Sequence, residues 1–224
     1  MPFSGMIFDF NGVLWWDSAL QETSWKRFSA ELRGTALTDA EIALHVHGRN
    51  NRHTLEYLTG RSLGAEEVEQ LTEQKETLYR RMCLDLGPEF CLPVGAVELL
   101  DWLVAHEIPR TIATASGERN VEFFAQHLQL ARWFDMDRVV LDDGKRPGKP
   151  APDIYLQAAR NLGLTPGQCV VLEDSFSGIQ AAHAAGIGYI AALASTHPSE
   201  ELAALPGVDV VIEGLSELPV AALF

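Results

Sequence analysis

Positive charge is scarce in this chain. Seventeen Lys and Arg stand against 31 Asp and Glu, a formal charge of -14, and the first basic residue is Lys26. Nucleic acid and anionic membrane surfaces both need a basic face, so neither is an expected partner. No charged leader precedes an apolar segment, so no secretory signal is expected. No apolar run approaches the roughly 18 residues needed to span a bilayer. Cysteine is scarce too: Cys83, Cys91 and Cys169 are odd in number and contain no Cys-x-x-Cys pair. That suggests neither a disulfide framework nor a zinc site, and buried free thiols in a reducing compartment are the expectation. The expectation is a soluble cytoplasmic protein, a monomer or small homo-oligomer.

What is present is an ordinary globular composition, 47% hydrophobic and 21% charged, which excludes a disordered chain. At 224 residues it suits one large domain or a core with an insertion. The chain is organised around Met6-Ile7-Phe8-Asp9-Phe10-Asn11-Gly12-Val13-Leu14. An apolar run stops at a carboxylate, an amide and a glycine, as a buried parallel strand does at its carboxyl edge, where open α/β sheets bind ligands. Asp9 at such a tip can act as a nucleophile or bind a hard cation. Gly12 lets the backbone turn and approach a ligand.

From Trp16 to Pro88 the spacing is helical, with few strand signals. Asp17 or Ser18 caps a helix to about Arg33 whose face carries Leu20, Trp25, Phe28 and Leu32. Further helices begin near Thr38 or Asp39, near Asn51 or His53, and at Ala65, the last running to Leu84. Within the polar loop from His45 to Arg52, His45 and His47 alternate like metal ligands. No third ligand is spaced to join them, so the loop reads as solvated or substrate-facing.

From Pro93 onward helices and strands alternate, the signature of βαβ units. Val94 to His106 reads as an amphipathic helix with Val97, Leu100 and Val104 inward. Strands are expected at Thr111–Thr114, Arg138–Leu141, Cys169–Leu172, Tyr189–Ala192 and Val208–Ile212, with helices at Asp153–Leu162 and Phe176–Ala185. The loop from Asp142 to Asp153, stiffened by Pro147, Pro150 and Pro152, can hold Lys149 in place. Three strand ends then carry polar chemistry on one edge: Asp9 with Asn11, Thr114 with Ser116, and Glu173 with Asp174. Parallel strands joined by right-handed crossovers bring such ends together. Three carboxylates, a hydroxyl and Lys149 suit Mg²⁺ and a phosphoryl group.

These motifs, with Gly148-Lys149-Pro150-Ala151-Pro152-Asp153 and Glu173-Asp174-Ser175 followed by Gly178 and Ile179, resemble the haloacid dehalogenase superfamily. Within it they resemble the branch of β-phosphoglucomutase and sugar-phosphate phosphatases. The resemblance implies a Rossmann-like, doubly wound parallel α/β core, residues 1–15 and 89–224, with an inserted all-helical cap, 16–88. It implies that Asp9 is a nucleophile forming an aspartyl phosphate, that Thr114 and Ser116 bind phosphate, and that Lys149 offsets its charge. Mg²⁺ would be held by Asp9, the Asn11 carbonyl and Asp174, with Glu173 close by. In the cap, Arg52 and Lys75 would reach a second phosphate or substrate group, although for either a solvated surface cation is the competing reading. The implied substrate is a small phosphorylated metabolite such as a sugar phosphate.

Two positions depart from the pattern. Position 11 is normally a second Asp, which protonates the leaving oxygen and then activates water; Asn11 keeps the size and carbonyl but transfers no proton. The loss of such acid/base help is typically worth about 10² to 10⁴ in rate. Three accounts stand open: a slow phosphatase, or one using another acid or an ester with a good leaving group; a variant engineered to trap a ligand; or different chemistry. The last includes a metal-free 2-haloacid dehalogenase and a phosphonate hydrolase with Lys75 as Schiff base; a separate, non-enzyme alternative is a degenerate member that binds a phosphometabolite without turnover. The second departure is Gln21, where a mutase resemblance calls for histidine, so a hydrolase is expected over a phosphoglucomutase.

Overall fold

The structure, a computed structural model, describes residues 2–47 and 49–224; Gly48, within the polar loop singled out above, lies outside the described residues. The chain divides into two compact units, 1–16 with 91–224, and 17–90. In chain order the regular elements are β1 Gly5–Phe8, α1 Ser18–Arg33, α2 Asp39–His45, α3 Asn51–Thr59 and α4 Ala65–Asp85. There follow α5 Ala96–Ala105, β2 Arg110–Gly117, α6 Glu118–His127, β3 Val140–Asp142, α7 Asp153–Leu162, β4 Cys169–Glu173 and α8 Phe176–Ala184. The chain closes with β5 Tyr189–Leu193, α9 Ser199–Ala203, β6 Val210–Ile212 and α10 Val220–Leu223. Among the described residues no helix is long and apolar enough to cross a membrane.

The larger unit is a six-stranded sheet in the order β3-β2-β1-β4-β5-β6, parallel throughout. This is a Rossmann-like fold, as its alternating elements dictate. Every residue of β1 and β4 is buried, which is why both read as continuous apolar runs rather than alternating ones. Phe8 pairs with Ile112 on one side and Leu172 on the other, and the Asp9 amide donates to the Leu172 carbonyl at 3.0 Å. The ladder therefore delivers Asp9 and Glu173 to one edge. On β2 the register with β3 shifts between Ala113 and Gly117; such irregularities re-aim side chains next to sites, and here they carry Thr114 and Ser116.

Helix α5 corrects the sequence reading. Its buried stripe is Ala96, Leu99, Leu100 and Leu103, whereas Val97 is 37% and Val104 41% exposed. The helix is apolar on nearly every side, so two stripes satisfy the 3.6-residue period and only tertiary packing chooses between them. It also starts later than expected, because Gly95 takes a left-handed φ of 84° ahead of Ala96. Arg138, expected to open a strand, instead ends a 3₁₀ turn over Met136–Arg138, and β3 begins only at Val140.

The smaller unit is all-helical around Trp25, Phe28, Leu37, Ile42, Leu55, Leu58 and Leu63. Thr38 and Glu41 form a reciprocal capping box at the start of α2. Glu41 also accepts from Arg33 at 2.7 Å and from the Tyr57 hydroxyl at 2.6 Å. The Thr38 amide first, then Tyr57 and Arg33, hold its carboxyl well below the usual range.

Candidate active site

At the carboxyl edge of the sheet the central feature is Lys149, delivered by the proline-stiffened loop ahead of α7. Its Nζ donates to Asp9 Oδ1 at 2.6 Å and to Glu173 Oε1 at 2.5 Å. Ligand oxygens of Asp9, Glu173 and Asp174 lie within 4.8 Å of one another, and all three residues are buried. Among the described residues one ammonium, that of Lys149, faces three carboxylates there. That imbalance and the hard oxygen donors fit a divalent cation such as Mg²⁺.

The electrostatics follow from this crowding. Burial pushes the Asp9 carboxyl up to about 7, Lys149 pulling it down and Glu173 adding to the rise. Burial, then the charges of Glu173 and Asp9, push Asp174 up to about 8. For Glu173 burial opposes charge, but the ion pair with Lys149 prevails and holds it below its ordinary value. Burial also opposes charge on Lys149, yet Asp9 and Glu173 hold its ammonium well above the ordinary lysine value.

Glu173 is an acceptor on both oxygens. Oε1 takes bonds from Lys149 and from the Tyr155 hydroxyl at 2.9 Å; Oε2 takes the amides of Asp174 and Ser175, each at 2.8 Å, and Ser175 Oγ at 3.0 Å. A Cβ on Gly178 would lie 1.6 Å from Glu173 Oε1, so only glycine lets α8 start so close. Gly12, at φ 82°, is packed as tightly: its Cβ would fall 2.0 Å from Asp174 Oδ2. Thr114 is buried and accepts from the Ser116 amide at 3.1 Å. Ser116 Oγ donates to Asn11 Oδ1 at 2.8 Å. Asp9, Asn11, Gly12, Thr114, Ser116, Lys149, Glu173 and Asp174 all belong to the unit that holds the sheet.

Three residues absent from the sequence reading join this set: Tyr155, through its bond to Glu173, and Ser195 and Thr196. Thr196 Oγ1 donates to Asp174 Oδ2 at 2.6 Å, and Ser195 Oγ donates to the Gly12 carbonyl at 2.5 Å. Ser195 and Thr196 follow β5, an apolar run succeeded by hydroxyls, and that pattern is the signal in the sequence that marks them.

Arg52 and Lys75 belong to the helical unit. Arg52 is exposed, and its Nη1 donates to the Leu63 carbonyl at 2.7 Å. Lys75 is not a solvated surface cation: it is 2% exposed. Its Nζ donates to Gln21 Oε1 at 2.6 Å and Glu76 Oε1 at 3.0 Å and lies 5.0 Å from the Trp25 ring centroid. Gln21 in turn donates to Asp17 Oδ2 at 3.0 Å. His45 and His47 do not converge; His45 stacks on Tyr57 with ring centroids 3.6 Å apart, while His47 Nε2 lies 3.0 Å from Glu22 Oε1.

A family model for haloacid dehalogenase-like hydrolases matches residues 3–186. The chain is 30% identical over 220 residues to hexitol phosphatase A of Escherichia coli (strain K12), covering 98% of this chain and 95% of that protein. It is 26% identical over 220 residues to the chloroplastic 5-amino-6-(5-phospho-D-ribitylamino)uracil phosphatase of Arabidopsis thaliana, covering 98% of this chain but only 56% of the plant protein. β-Phosphoglucomutases stand among the relatives as well. Among solved structures, the HAD hydrolase, family IA, variant 3, of Entamoeba histolytica matches with a TM-score of 0.92 at 36% identity, covering 98% of this chain and 97% of that one.

Proposed function

Because this chain belongs to the haloacid dehalogenase-like hydrolases, we propose that it is a Mg²⁺-dependent phosphatase of a small phosphorylated metabolite, of the sugar-phosphate kind, working through an aspartyl phosphate at Asp9. The observation that carries the reading is Lys149 held between Asp9 and Glu173, with Asp174 beside them. A phosphoryl group brings its own negative charge to a carboxylate nucleophile, and that approach needs fixed positive charge. The phosphatase names among the relatives agree with this.

In this scheme Asp9 attacks phosphorus, while Lys149 orients it and offsets the charge of the equatorial oxygens. Thr114 and Ser116 bind those oxygens. Asp9, Asp174 and the Asn11 carbonyl would hold Mg²⁺, which when bound supplies charge neutralisation to the transferring group. Glu173, an acceptor on both oxygens already, serves chiefly to hold Lys149. Ser195 and Thr196 steady the Gly12 turn and the Asp174 carboxylate. The helical unit is assigned substrate selection, with Arg52 and Lys75 its cationic candidates. An amide at Gln21 shuttles no proton, so hydrolysis is preferred over a mutase reaction.

Asn11 favours a second reading, a member that binds a phosphometabolite without turning it over. A 2-haloacid dehalogenase would leave the three-carboxylate cluster without a role. Assay of p-nitrophenyl phosphate and a panel of sugar phosphates, with Mg²⁺ and with chelator, separates these. The phosphatase reading expects Mg²⁺-dependent phosphate release that Asp9→Asn abolishes; halide release from 2-haloacids without metal would replace it.

A further inference from the structure

We propose that the preferred substrates are phosphorylated metabolites whose leaving oxygen departs as a stabilised anion, a carboxylate, enolate or phenolate, and that the Asp9 phosphoenzyme persists after that group has gone. This rests on the aspartyl-phosphate reading above but departs from its sugar-phosphate class: ordinary sugar phosphates, being alkyl esters, become the slow substrates. An alkyl ester would expel an alkoxide, a strong base that must gain a proton as the P–O bond breaks. Within the unit that holds the sheet, the groups around Asp9 are ill-placed to give one.

The amide of Asn11 has no proton to transfer at neutral pH, and its Oδ1 is already taken by Ser116 Oγ at 2.8 Å. Both oxygens of Glu173 are occupied as acceptors, by five hydrogen bonds in all. Asp174 lies close to Asp9, but as one of the residues proposed to hold Mg²⁺ it would be engaged as a carboxylate, and its Oδ2 already accepts from Thr196 at 2.6 Å. The ammonium of Lys149 is engaged by Asp9 and Glu173. What the site can do unaided is transfer PO₃⁻ from a leaving group that needs no proton.

The steps balance without a further reactant. A carboxylate oxygen of Asp9 bonds to phosphorus, the bond from phosphorus to the leaving oxygen breaks, and the electron pair departs with that oxygen. Water then attacks phosphorus, the bond to Asp9 breaks, the carboxylate is restored, and the proton lost by water passes to solvent or to the product phosphate. With an amide at position 11 nothing there takes that proton as the water attacks, so the second step is the slower.

Rapid mixing of the full chain with p-nitrophenyl phosphate and Mg²⁺ tests this, beside glucose 6-phosphate as the alkyl ester and Asn11→Asp as the comparison. The expected result is a burst of nearly one phenolate per chain followed by a slow phase, with Asn11→Asp removing the burst. The same substitution should raise glucose 6-phosphate turnover by at least about 10²-fold, the lower end of what acid/base help supplies. Should Asn11→Asp fail to fold, the burst and the ratio of the two esters in the unaltered protein decide alone. Linear phenolate release from the first turnover, or glucose 6-phosphate cleaved as fast as p-nitrophenyl phosphate, would overturn this inference while leaving the phosphatase reading intact. If no protein releases phosphate from either ester, the phosphatase reading itself fails, and this one with it.

Discussion

Thr196 donates its hydroxyl to Asp174 Oδ2 at 2.6 Å, from a segment tied down on both sides. Ser195 bonds the Gly12 carbonyl, and the His197 ring stacks on Phe176 with centroids 4.1 Å apart. A hydrogen bond to a charged acceptor is worth about 1.5–3 kcal/mol, and here it fixes the direction of a proposed cation ligand. Thr196→Val, which keeps the shape and loses the hydroxyl, should weaken Mg²⁺ binding roughly tenfold, about 1.4 kcal/mol. Thr196→Ser should stay close to the parent. Calorimetric titration of Mg²⁺ measures both, and equal affinity in all three proteins would show that Thr196 does not position Asp174.

Lys149 is buried between two carboxylates, with its side chain 8% exposed. Removing one member of a buried ion pair typically costs about 3–5 kcal/mol, because the remaining charge is left without compensation. Lys149→Met should therefore lower the stability of the metal-free protein by that order in a denaturant titration. Added Mg²⁺ should recover part of the loss by meeting the same carboxylates. A variant as stable as the parent would mean the pair carries less charge than its geometry implies.

The acidity of the cluster predicts how stability depends on pH. Asp9 and Asp174 have carboxyls raised from 3.8 to about 7 and about 8, so the folded state keeps protons that the unfolded chain loses near pH 4. Their contribution is fully present below the unfolded value and is lost as pH rises through about 7 to 8. The metal-free protein should melt at a lower temperature near pH 8 than near pH 5.5. Mg²⁺ must displace those protons at the lower pH, so its gain in melting temperature should be larger near pH 8. Scanning calorimetry at both values, with and without Mg²⁺, reads this; an equal gain at both would contradict the raised carboxyls.

Much of this architecture is legible in the chain itself, and where it is not the reasons are physical. The run from Met6 to Asp9 and that from Cys169 to Glu173 announce themselves because strands buried on both faces admit nothing polar until they end. Helix α7 spans Asp153–Leu162 as its pattern requires. Helix α5 misled because an all-round apolar helix has no unique face. Lys75 reads as a surface lysine because buried lysines are rare; its burial depends on Trp25, Tyr79 and Gln21, contributed by turns of helix remote from it or one turn away. Tyr155 escaped notice because a helical tyrosine looks like core until its hydroxyl is seen on Glu173.

The most direct measurement is intact-protein and peptide mass spectrometry after acid quenching of the chain mixed with p-nitrophenyl phosphate and Mg²⁺. The account predicts one added phosphoryl group, located on the peptide bearing Asp9, absent with chelator and absent in Asp9→Asn. Phosphate release that proceeds with no covalent label and survives Asp9→Asn would contradict it.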